Sequence, residues 1–478
     1  MAKAKLRTGD VIDGFTLGEV AHKGGMARLW HVTHPDHTEP MLMKVPDLGE
    51  GGDPATIVGF EMEQMILPRL SGPHVPHVIA IGDFSVQPYV VVEQISGTSL
   101  YPWLERLPLA PEEVADLGAK IATALVSLHH QKVVHLDIKP SNIMFRETGE
   151  AVLVDFGLAR HLELPDLMDE EFRLPYGTAP YMAPEQVLGH RSDFRSDIFA
   201  LGALLYFFAT GKRPHGDPQR LKGLKRRLWR DAVPPRALNP AIPLALQEVI
   251  LRCLEINPAR RYPTAAQLAV DLQDLEHVAL TPRAAKMKRD SWSVVIKRRF
   301  NPDPMDMVKP EKMTGQLYDA PIIAAAVDLS GSSPELLESL RIMVSRAVEQ
   351  TPNARIACLN VLKVNRITLD STLDSTGNNK HVKRLVDLKS WASGLKAPDG
   401  GITFHVLEAV SPATAILEFS RENHVDHIVM GARAETAMRN LLGSVSGEVA
   451  AHAPCTVTVV RNRVWPEVEE PKGGWVGP

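Results

Sequence analysis

One stretch of the chain, residues 279–315, interrupts the apolar patterning that runs through the rest and divides the sequence into two blocks. Nine basic residues lie in it against four acids: Arg283, Lys286, Lys288, Arg289, Lys297, Arg298, Arg299, Lys309 and Lys312, against Asp290, Asp303, Asp306 and Glu311. This composition is typical of a linker. At roughly 150 residues per domain, a chain of 478 residues allows two or three domains. The interruption predicts two.

The predicted boundaries are a first domain at 1–278, a basic linker at 279–315, a second domain at 316–464 and a flexible tail at 465–478. The tail is rich in Pro and Gly, which favours a frayed end. Two structures are open for the linker: a solvated tether, or a short strand or helix around 292–296 that docks on a neighbouring domain. We also expect the basic linker to attract the acidic segment at 156–177.

Charge and cysteine content exclude several classes of protein. Lys and Arg (53) nearly balance Asp and Glu (57), which argues against a dedicated nucleic-acid binder. Cys253, Cys358 and Cys455 form no CxxC pair, as expected in a reducing compartment. The N-terminus lacks the apolar core of a signal peptide, and the apolar run at 198–211 is shorter than the about 20 residues of a membrane span. We therefore expect a cytoplasmic protein with no nucleic-acid or membrane partner.

The first block begins with strands and continues with helices. FTLGEV and ARLWHV flank KGGM, which predicts a hairpin, and MLMKVP predicts a third strand that carries Lys44. A helical stretch at 60–70 carries Glu63, PYVVVEQI predicts a further strand, and helical periodicity runs over 112–130. The uncharged run at 198–211 predicts a buried helix. This mixture predicts an α+β domain.

Two short segments of this block carry the residues with chemical potential. In HLDIKPSN, Asp137, Lys139 and Asn142 lie within six positions, and Asp155 of VDFG follows Asn142 by thirteen residues. A carboxylate and an amide from adjacent loops make a hard-oxygen site suited to Mg²⁺. A second carboxylate and a lysine beside them supply a base and a cation for a transferring phosphoryl group.

With these motifs the block resembles a eukaryotic-like serine/threonine protein kinase of bacterial type, over about 260 residues. Six motifs match in order: MLMK, FEME, HLDIKPSN, VDFG, GTAPYMAPE and RSDIFALG. The resemblance implies the bilobal α+β kinase fold. It also implies ATP and Mg²⁺ as cofactors, with Mn²⁺ as an alternative metal, and protein substrates.

The resemblance also implies how ATP is bound. Lys44 would pair with Glu63 and hold the α- and β-phosphates. Residues 93–95, with Glu93 and Ile95 at the ends, would meet the adenine. Gly24 would lie over the phosphates, and Leu29 stands where the family's adenine-covering valine does.

For the transfer step, the resemblance implies that Asp137 orients the substrate hydroxyl and accepts its proton, while Lys139 steadies the γ-phosphate. Asn142 and Asp155 would hold the metal. Lys139 together with Thr178 resembles serine/threonine kinases more than tyrosine kinases. Three further residues would be structural: Glu185 paired with Arg261, and Asp197 tying the catalytic loop to the buried helix.

The glycine-rich loop departs from the family pattern. G-x-G-x-x-G falls on His22, Gly24 and Ala27, so only the middle glycine is kept. Side chains at the other two positions restrict the close approach of the backbone to phosphates. Gly24 and Gly25 still allow a tight turn, and we expect weakened rather than abolished ATP binding.

Two departures concern activation. Leu136 precedes Asp137 where many of these kinases have an arginine that reads a phosphate on the activation segment. Residues 156–177 contain no Ser or Thr and carry acids instead, among them Asp166, Asp169, Glu170 and Glu171. We hypothesise that activity does not depend on activation-loop phosphorylation.

One basic run in this block, LKGLKRRLWR, has two interpretations. It places Lys222, Lys225, Arg226, Arg227 and Arg230 on a predicted helix that, in the family, lies near the protein-substrate groove. It can recruit acidic substrates, or it is a solvated face with no partner.

The second block alternates strands and helices. IIAAAVDLS, ARIACLNVL, ITFHVLEAV, DHIVMGA and CTVTVV are short apolar runs of the kind found in buried parallel strands. Ser333-Pro334 and Ser411-Pro412 each open a helix between them. Five strands with right-handed crossovers predict a doubly wound parallel α/β sheet.

This block resembles the universal stress protein family over about 145 residues. In nucleotide-binding members, the position of Asp328 meets adenine and a G-x-x-G-x9-G-[ST] loop wraps the phosphates. Here Gly431, Gly443 and Ser444 match, whereas Ala434 replaces the second glycine and the spacing is one residue shorter. A second site for an adenine nucleotide, and a domain without one, both stay open.

The sequence therefore predicts an ATP- and Mg²⁺-dependent Ser/Thr protein kinase that also phosphorylates itself, at sites that the sequence does not specify, fused to a domain for sensing, docking or dimerisation. By family analogy, the homodimer would form through the last strand, residues 457–460. The alternatives are a pseudokinase scaffold and an adenine-nucleotide sensor. Intact Lys44, Glu63, Asp137, Asn142 and Asp155 favour the enzyme, since a scaffold does not need all five.

Overall fold

The computed structural model describes residues 6–24, 27–48, 53–172, 175–301, 320–364, 372–374, 378–398, 400–432 and 443–461. These form two compact units. The first comprises Met1–Asp319 with Ser371–Lys383, and the second comprises Ala320–Asp370 with Arg384–Pro478. The predicted domain boundaries stay predictions, and the tail at 465–478 lies outside the described residues.

The first unit opens with an antiparallel sheet in the order β1-β2-β3-β4-β6-β5. Its strands are β1 (Val11–Ile12), β2 (Phe15–Lys23), β3 (Ala27–His34), β4 (His37–Pro46), β5 (Val78–Gly82) and β6 (Tyr89–Glu93). In β4, Met41, Met43 and Val45 are buried in alternation, which is the period of a strand with one face on the core. Lys44 therefore points from the opposite face.

Helix α1 (Pro54–Ile66) packs beside this sheet and begins six residues before the predicted helical stretch at 60–70. The Asp53 carboxylate accepts a hydrogen bond of 2.9 Å from the Ala55 amide, and Pro54 occupies the first helical position. Both features stabilise a helix start. A 3₁₀ turn, Leu67–Arg69, ends the element.

The remainder of the first unit is mainly helical. Its helices are α2 (Tyr101–Leu104), α3 (Pro111–His130), α4 (Leu167–Glu171), α5 (Pro184–Val187), α6 (Arg195–Thr210), α7 (Leu221–Leu224), α8 (Pro235–Leu238), α9 (Leu244–Cys253) and α10 (Ala265–Gln273). Short strands β7 (Gly97–Ser99), β8 (Val133–Val134), β9 (Ile143–Arg146), β10 (Ala151–Leu153) and β11 (Arg160–His161) form two small sheets at the start of this part. The predicted α+β class is thereby confirmed.

Helix α6 is the buried helix that the run at 198–211 predicts. Nearly all of its residues are buried, and Gly211 ends it with a left-handed backbone (φ 69°) that favours glycine. Among the described residues, no helix combines the length and the apolar character needed to cross a membrane.

A buried ion pair joins the segment after the activation loop to the loop before α10. The Arg261 guanidinium donates to both carboxylate oxygens of Glu185, at 2.6 and 2.7 Å. Both side chains are 0% exposed. The Ser196 hydroxyl, on α6, donates to Glu185 at 2.7 Å. Three elements are thus fixed to one carboxylate.

The first half of the linker contacts the helical part of the first unit. Of the two structures left open for the linker, this half is therefore a docked segment and not a solvated tether. The Gln247 amide donates to the carbonyl oxygens of Arg283, Ala284 and Lys286 at 3.0, 2.8 and 2.8 Å. Residues 292–296 are helical, within α11 (Trp292–Phe300). Residues 302–315 lie outside the described part of the chain.

The second unit is a five-stranded sheet in which every pairing is parallel, in the order β14-β13-β12-β15-β16. Its strands are β12 (Ile322–Ala326), β13 (Arg355–Lys363), β14 (Ile402–Ala409), β15 (His427–Gly431) and β16 (Thr456–Val460). Its helices are α12 (Pro334–Gln350), α13 (Lys380–Ala392), α14 (Pro412–Glu422) and α15 (Ser444–His452). Apolar clusters lie on both faces of the sheet, so the predicted doubly wound fold is confirmed.

Replacing Glu185 tests the buried ion pair. In Glu185→Gln the Arg261 guanidinium stays buried without a counter-charge, and we expect the free energy of unfolding to fall by about 3–5 kcal/mol. Glu113→Gln is the control, since its pair with Arg106 is exposed and contributes less than about 1 kcal/mol. Urea unfolding of both variants gives the comparison. Equal losses would contradict the assigned role.

Candidate active site

Lys44 connects three separate elements of the first unit. It lies on β4, directly beside Leu29 of β3 in the sheet register. Its ammonium group donates to Glu63 on α1 at 2.6 Å and to Asp155 at 2.8 Å. The sequence-predicted partners Lys44 and Glu63 are therefore brought together, with Asp155 as a third member.

The charges of this group shift one another's ionisation. Burial disfavours the Lys44 cation, but the charges of Asp155 and Glu63 outweigh it and raise the pKa of Lys44. Burial raises the pKa of Glu63 despite the Lys44 charge. The Lys44 charge is the main cause that lowers the pKa of Asp155, to about 2. Asp155, with 44% of its side chain exposed, is the carboxylate that stays ionised and open to a ligand.

Two glycines let α1 approach the turn that holds Asp155. A Cβ atom on Gly59 would lie 3.0 Å from the Gly157 carbonyl oxygen, and one on Gly157 would lie 3.4 Å from the Gly59 carbonyl oxygen. Asp155 itself has a left-handed backbone, with φ 68°. Sequence reasoning missed Gly59, because a glycine inside a helical pattern shows its role only when the facing backbone is known.

Asp197 holds the loop that carries Asp137. Its buried carboxylate accepts hydrogen bonds from the amides of His135 and Leu136, both at 2.9 Å, and contacts the His129 ring at 2.9 Å. Leu136 has φ 62°, a conformation that costs free energy in a non-glycine residue. The two bonds to Asp197 offset that cost and fix the direction of the next residue, Asp137.

Asp137 lies at the centre of a hydrogen-bonded group. One oxygen accepts from the Thr178 hydroxyl at 2.7 Å and from the Thr178 amide at 3.1 Å. The other accepts from Lys139 at 2.6 Å and from the Asn142 amide group at 3.1 Å. Lys139, Asn142 and Thr178, three residues that the sequence singled out, thus converge on the Asp137 carboxylate.

The oxygen atoms of Asn142 and Asp155 are the candidate metal ligands. The Asn142 amide group also donates to the Asp137 carbonyl oxygen at 3.1 Å, which leaves its side-chain oxygen, bonded to the Ser141 hydroxyl, as an acceptor. The Val154 amide bonds to the Asn142 carbonyl oxygen at 3.0 Å and so joins the two segments. Within the described residues, no cluster of three or more His, Cys, Asp or Glu side chains could hold a metal ion. The donor set fits Mg²⁺ shared with phosphate oxygens.

The predicted adenine contacts follow β6. Glu93 ends this strand, and its carboxylate pairs with Arg146 at 2.6 Å, which lowers the pKa of Glu93. The Glu93 and Gln94 amides bond to backbone carbonyl oxygens of His77 and Pro40. For the Ile95 amide there is no such backbone bond within the described residues, so it is available to a ligand.

The degenerate glycine loop forms the hairpin between β2 and β3. The Gly24 amide donates to the Ala27 carbonyl oxygen at 3.0 Å, and a Cβ on Gly24 would lie 3.2 Å from that oxygen. His22 pairs with Leu29 in the sheet register. Gly25 lies outside the described residues, so the turn that it was expected to form stays a prediction.

Apolar packing and ion pairs hold the activation segment. Leu136 is buried in an apolar cluster with Val134 and Leu162. The Asp166 carboxylate is 2% exposed and accepts from Arg191 at 2.8 Å, with Arg160 at 3.8 Å. Asp166 is therefore not free to attract the linker. Three cations of the linker, Arg283, Lys286 and Arg298, pair with acids outside the activation segment. The expected attraction between the linker and this segment stays a prediction.

Arg227 has a role that the sequence did not reveal. It was grouped with a basic run that faces either solvent or an acidic substrate, yet its side chain is 1% exposed. Its guanidinium donates to the carbonyl oxygens of Met182 and of Ala179, the latter at 2.5 Å. These carbonyls belong to the segment that follows Thr178. Arg227 therefore holds that segment, and only the other cations of the run are exposed.

The second unit places its four predicted nucleotide residues near the carboxyl ends of β12 and β15, where the strand order reverses. Asp328 follows β12 and accepts from the amides of Ser330 and Gly331 at 3.1 and 3.2 Å. Gly431 ends β15, and Gly443 and Ser444 begin α15. Ala434 lies outside the described residues.

Comparison with known proteins agrees with these two folds. The family model for the protein kinase domain matches residues 17–271, and that for the universal stress protein family matches residues 321–461. The probable serine/threonine-protein kinase CPE1738 of Clostridium perfringens is 30% identical over 231 residues, which are 48% of this chain and 33% of that protein. The serine/threonine-protein kinase PknB of Mycobacterium tuberculosis is 29% identical over 284 residues, 58% of this chain and 45% of that protein.

The chain thus spans less than half the length of each of these curated relatives. The crystal structure of the Mycobacterium tuberculosis PknI kinase domain is similar at 22% identity and a TM-score of 0.44, over 57% of this chain and 100% of that one. The kinase family model covers more than half of the 478 residues. The chain belongs to the protein kinase family and carries a universal stress protein domain after its kinase domain.

Proposed function

We propose that the chain is an ATP- and Mg²⁺-dependent protein kinase that transfers the γ-phosphate to Ser or Thr hydroxyls, including its own. The observation that carries this proposal is the bridge from Lys44 to Glu63 and Asp155. It sets a cation and a low-pKa carboxylate beside each other, which is what binding a metal–nucleotide complex requires.

The group around Asp137 supports the transfer step. Asp137 would orient the substrate hydroxyl and accept its proton, and Lys139, 2.6 Å away, would neutralise charge on the transferred phosphoryl group. The Thr178 hydroxyl, bonded to Asp137, would be displaced or joined by the substrate hydroxyl. Positioning and charge supply the catalysis, as in phosphoryl transfer generally.

Asn142 and Asp155 would hold the Mg²⁺, with Mn²⁺ as an alternative metal. When bound, the metal neutralises charge on the β- and γ-phosphates. Glu93 and Ile95 would meet the adenine through their backbone, and Gly24 and Leu29 would cover the nucleotide. With His22 and Ala27 in the loop, we expect ATP affinity to be weak rather than absent.

The rival function is a pseudokinase scaffold, which binds without catalysing. The degenerate glycine loop is the feature that favours it. Against it stands the geometry of the other residues: Lys44, Glu63 and Asp155 are bonded to each other, and Asn142 and Asp137 are bonded to each other. No selection for binding alone requires that arrangement, so the enzyme is the better proposal.

Removal of the Asp155 charge tests the proposal. With labelled ATP and Mg²⁺, the native chain should transfer phosphate to itself or to a generic protein acceptor, and Asp155→Asn should reduce the rate by at least about 100-fold. Asp116→Asn, an exposed acid of α3, is the matched control and should keep the rate. Absence of transfer by the native chain would favour the scaffold.

We further propose that the activation segment is held by Asp166 and not by a phosphate. The buried Asp166 carboxylate pairs with Arg191 and lies near Arg160. In other proteins, arginines placed in this way bind the phosphate of a phosphorylated residue. Leu136 packs against apolar residues and provides no phosphate contact.

Treatment with a phosphatase distinguishes the two modes of activation. Protein shown by mass spectrometry to be free of phosphate should keep its initial rate towards an added substrate. Asp166→Asn should lower that rate, since it leaves two buried arginines short of a charge. Glu163→Gln is the comparison, since Glu163 is an acid of the same segment that is 40% exposed and pairs with Lys132. A large loss of rate after phosphatase treatment would refute this mode.

For the second domain we propose a sensing role through an adenine nucleotide, with dimerisation through β16. Two observations support it: Asp328 and Gly431 follow neighbouring strands at the point where strand order reverses, and β16 is at the edge of the sheet. Ligands of open α/β sheets bind at such a point. With the first site disabled by Lys44→Met, residual ATP binding should fall on Asp328→Ala. Unchanged residual binding would exclude this second site.

A further inference from the structure

Helix α11 (Trp292–Phe300) presents two bulky aromatic side chains to solvent. Trp292 is 79% exposed and Phe300 is 77% exposed, and the helix has no buried residue. The partly buried Ile296 lies between them, so the three are spaced at i, i+4 and i+8 and share one face. The aromatic rings are about 12 Å apart along the helix axis.

Ion pairs hold this segment against the kinase domain. Lys286 bonds to Asp231 at 2.9 Å and to Asp290 at 2.7 Å, and Arg298 pairs with Asp290 at 2.7 Å. Arg283 pairs with Glu248 at 3.2 Å. Asp231, Asp290 and Glu248 are therefore paired with cations of this segment. The two aromatic rings are therefore exposed on a helix whose position is fixed by these ion pairs.

The remaining cations of the segment face solvent and join a second basic run. The Arg299 guanidinium lies 5.5 Å from the centre of the Trp229 ring, at the end of the 222–230 run. This contact joins the two segments, and we name their exposed members together the basic–aromatic face: Lys222, Lys225, Arg226, Arg230, Lys288, Arg289, Lys297, Arg299, Trp292 and Phe300. Eight cations and two exposed aromatic residues thus lie on connected elements.

We propose that the basic–aromatic face binds an anionic lipid surface. Cations near such a surface are attracted to acidic headgroups, and Trp and Phe side chains favour the zone between headgroups and acyl chains. The rings here are separated by two helical turns and flanked by Lys297 and Arg299. A protein partner would more often meet a packed apolar centre with a polar rim.

The proposed contact is peripheral and independent of the kinase reaction. It revises the expectation of no membrane partner, which rested on the lack of a long apolar run. It also gives the exposed cations of the 222–230 run a use other than recruiting acidic substrates. The charge complementarity of eight cations and an anionic bilayer is the basis of this choice.

Vesicle sedimentation of the full chain tests the proposal. The chain should sediment with vesicles of equal parts phosphatidylglycerol and phosphatidylcholine, less so at high salt, and not with pure phosphatidylcholine. Lys297→Ala with Arg299→Ala should weaken binding about 25-fold, at about fivefold per cation. Trp292→Ser with Phe300→Ser should weaken it on the order of tenfold.

The matched control is Arg346→Ala with Lys396→Ala, two exposed cations of the second unit, which should leave binding unchanged. Unaltered melting temperatures would show that every variant folds. Failure to sediment with anionic vesicles, or equal weakening by the control pair, would overturn the proposal. So would a dimer that Trp292→Ser with Phe300→Ser abolishes in the absence of vesicle binding, because the face would then belong to a second copy. A variant that also lost kinase activity would still be informative, because vesicle binding and dimerisation are measured without the kinase reaction.

Discussion

The first unit depends on one cation held by two carboxylates. Lys44 comes from a strand, Glu63 from a helix and Asp155 from a turn, and the ammonium group lies within 2.8 Å of both acids. Partly buried charges are costly unless they are paired, so each of the three elements must be in place for the others to be stable there. The Asp53 cap at the start of α1 and the close approach of Gly59 to Gly157 place two of these elements.

A second constraint fixes Asp137 relative to this group. Asp197 offsets the strained backbone of Leu136 by accepting two amide hydrogen bonds, and Asp137 follows at once. From the other side, Thr178 bonds to Asp137 and Arg227 holds the carbonyls after Thr178. Asp166, bound to Arg191, adds a contact between permanent charges. The proposal that this segment needs no phosphate to become ordered rests on these contacts.

Motif residues and strands could be predicted from the sequence because their signals are local. Lys44, Asp137, Asn142 and Asp155 lie in short segments of distinctive composition, and the strands of the second unit are continuous apolar runs. Contacts between distant segments could not be predicted from the sequence. Gly59 and Arg227 look like an ordinary helix residue and an ordinary surface cation until the backbone that each faces is known. The docked half of the linker has polar contacts rather than an apolar stripe, so hydrophobic periodicity does not mark it.

The central claim is that Lys44 and Asp155 together form a site for a metal–nucleotide complex. A crystal structure of the chain with a non-hydrolysable ATP analogue and Mg²⁺ tests it most directly. The account predicts a metal ion bound by the oxygen atoms of Asn142 and Asp155, with Lys44 still paired to Glu63 and turned from Asp155 to the α- and β-phosphates. Nucleotide bound without a metal at Asp155, with the Lys44–Asp155 contact of 2.8 Å retained, would contradict it.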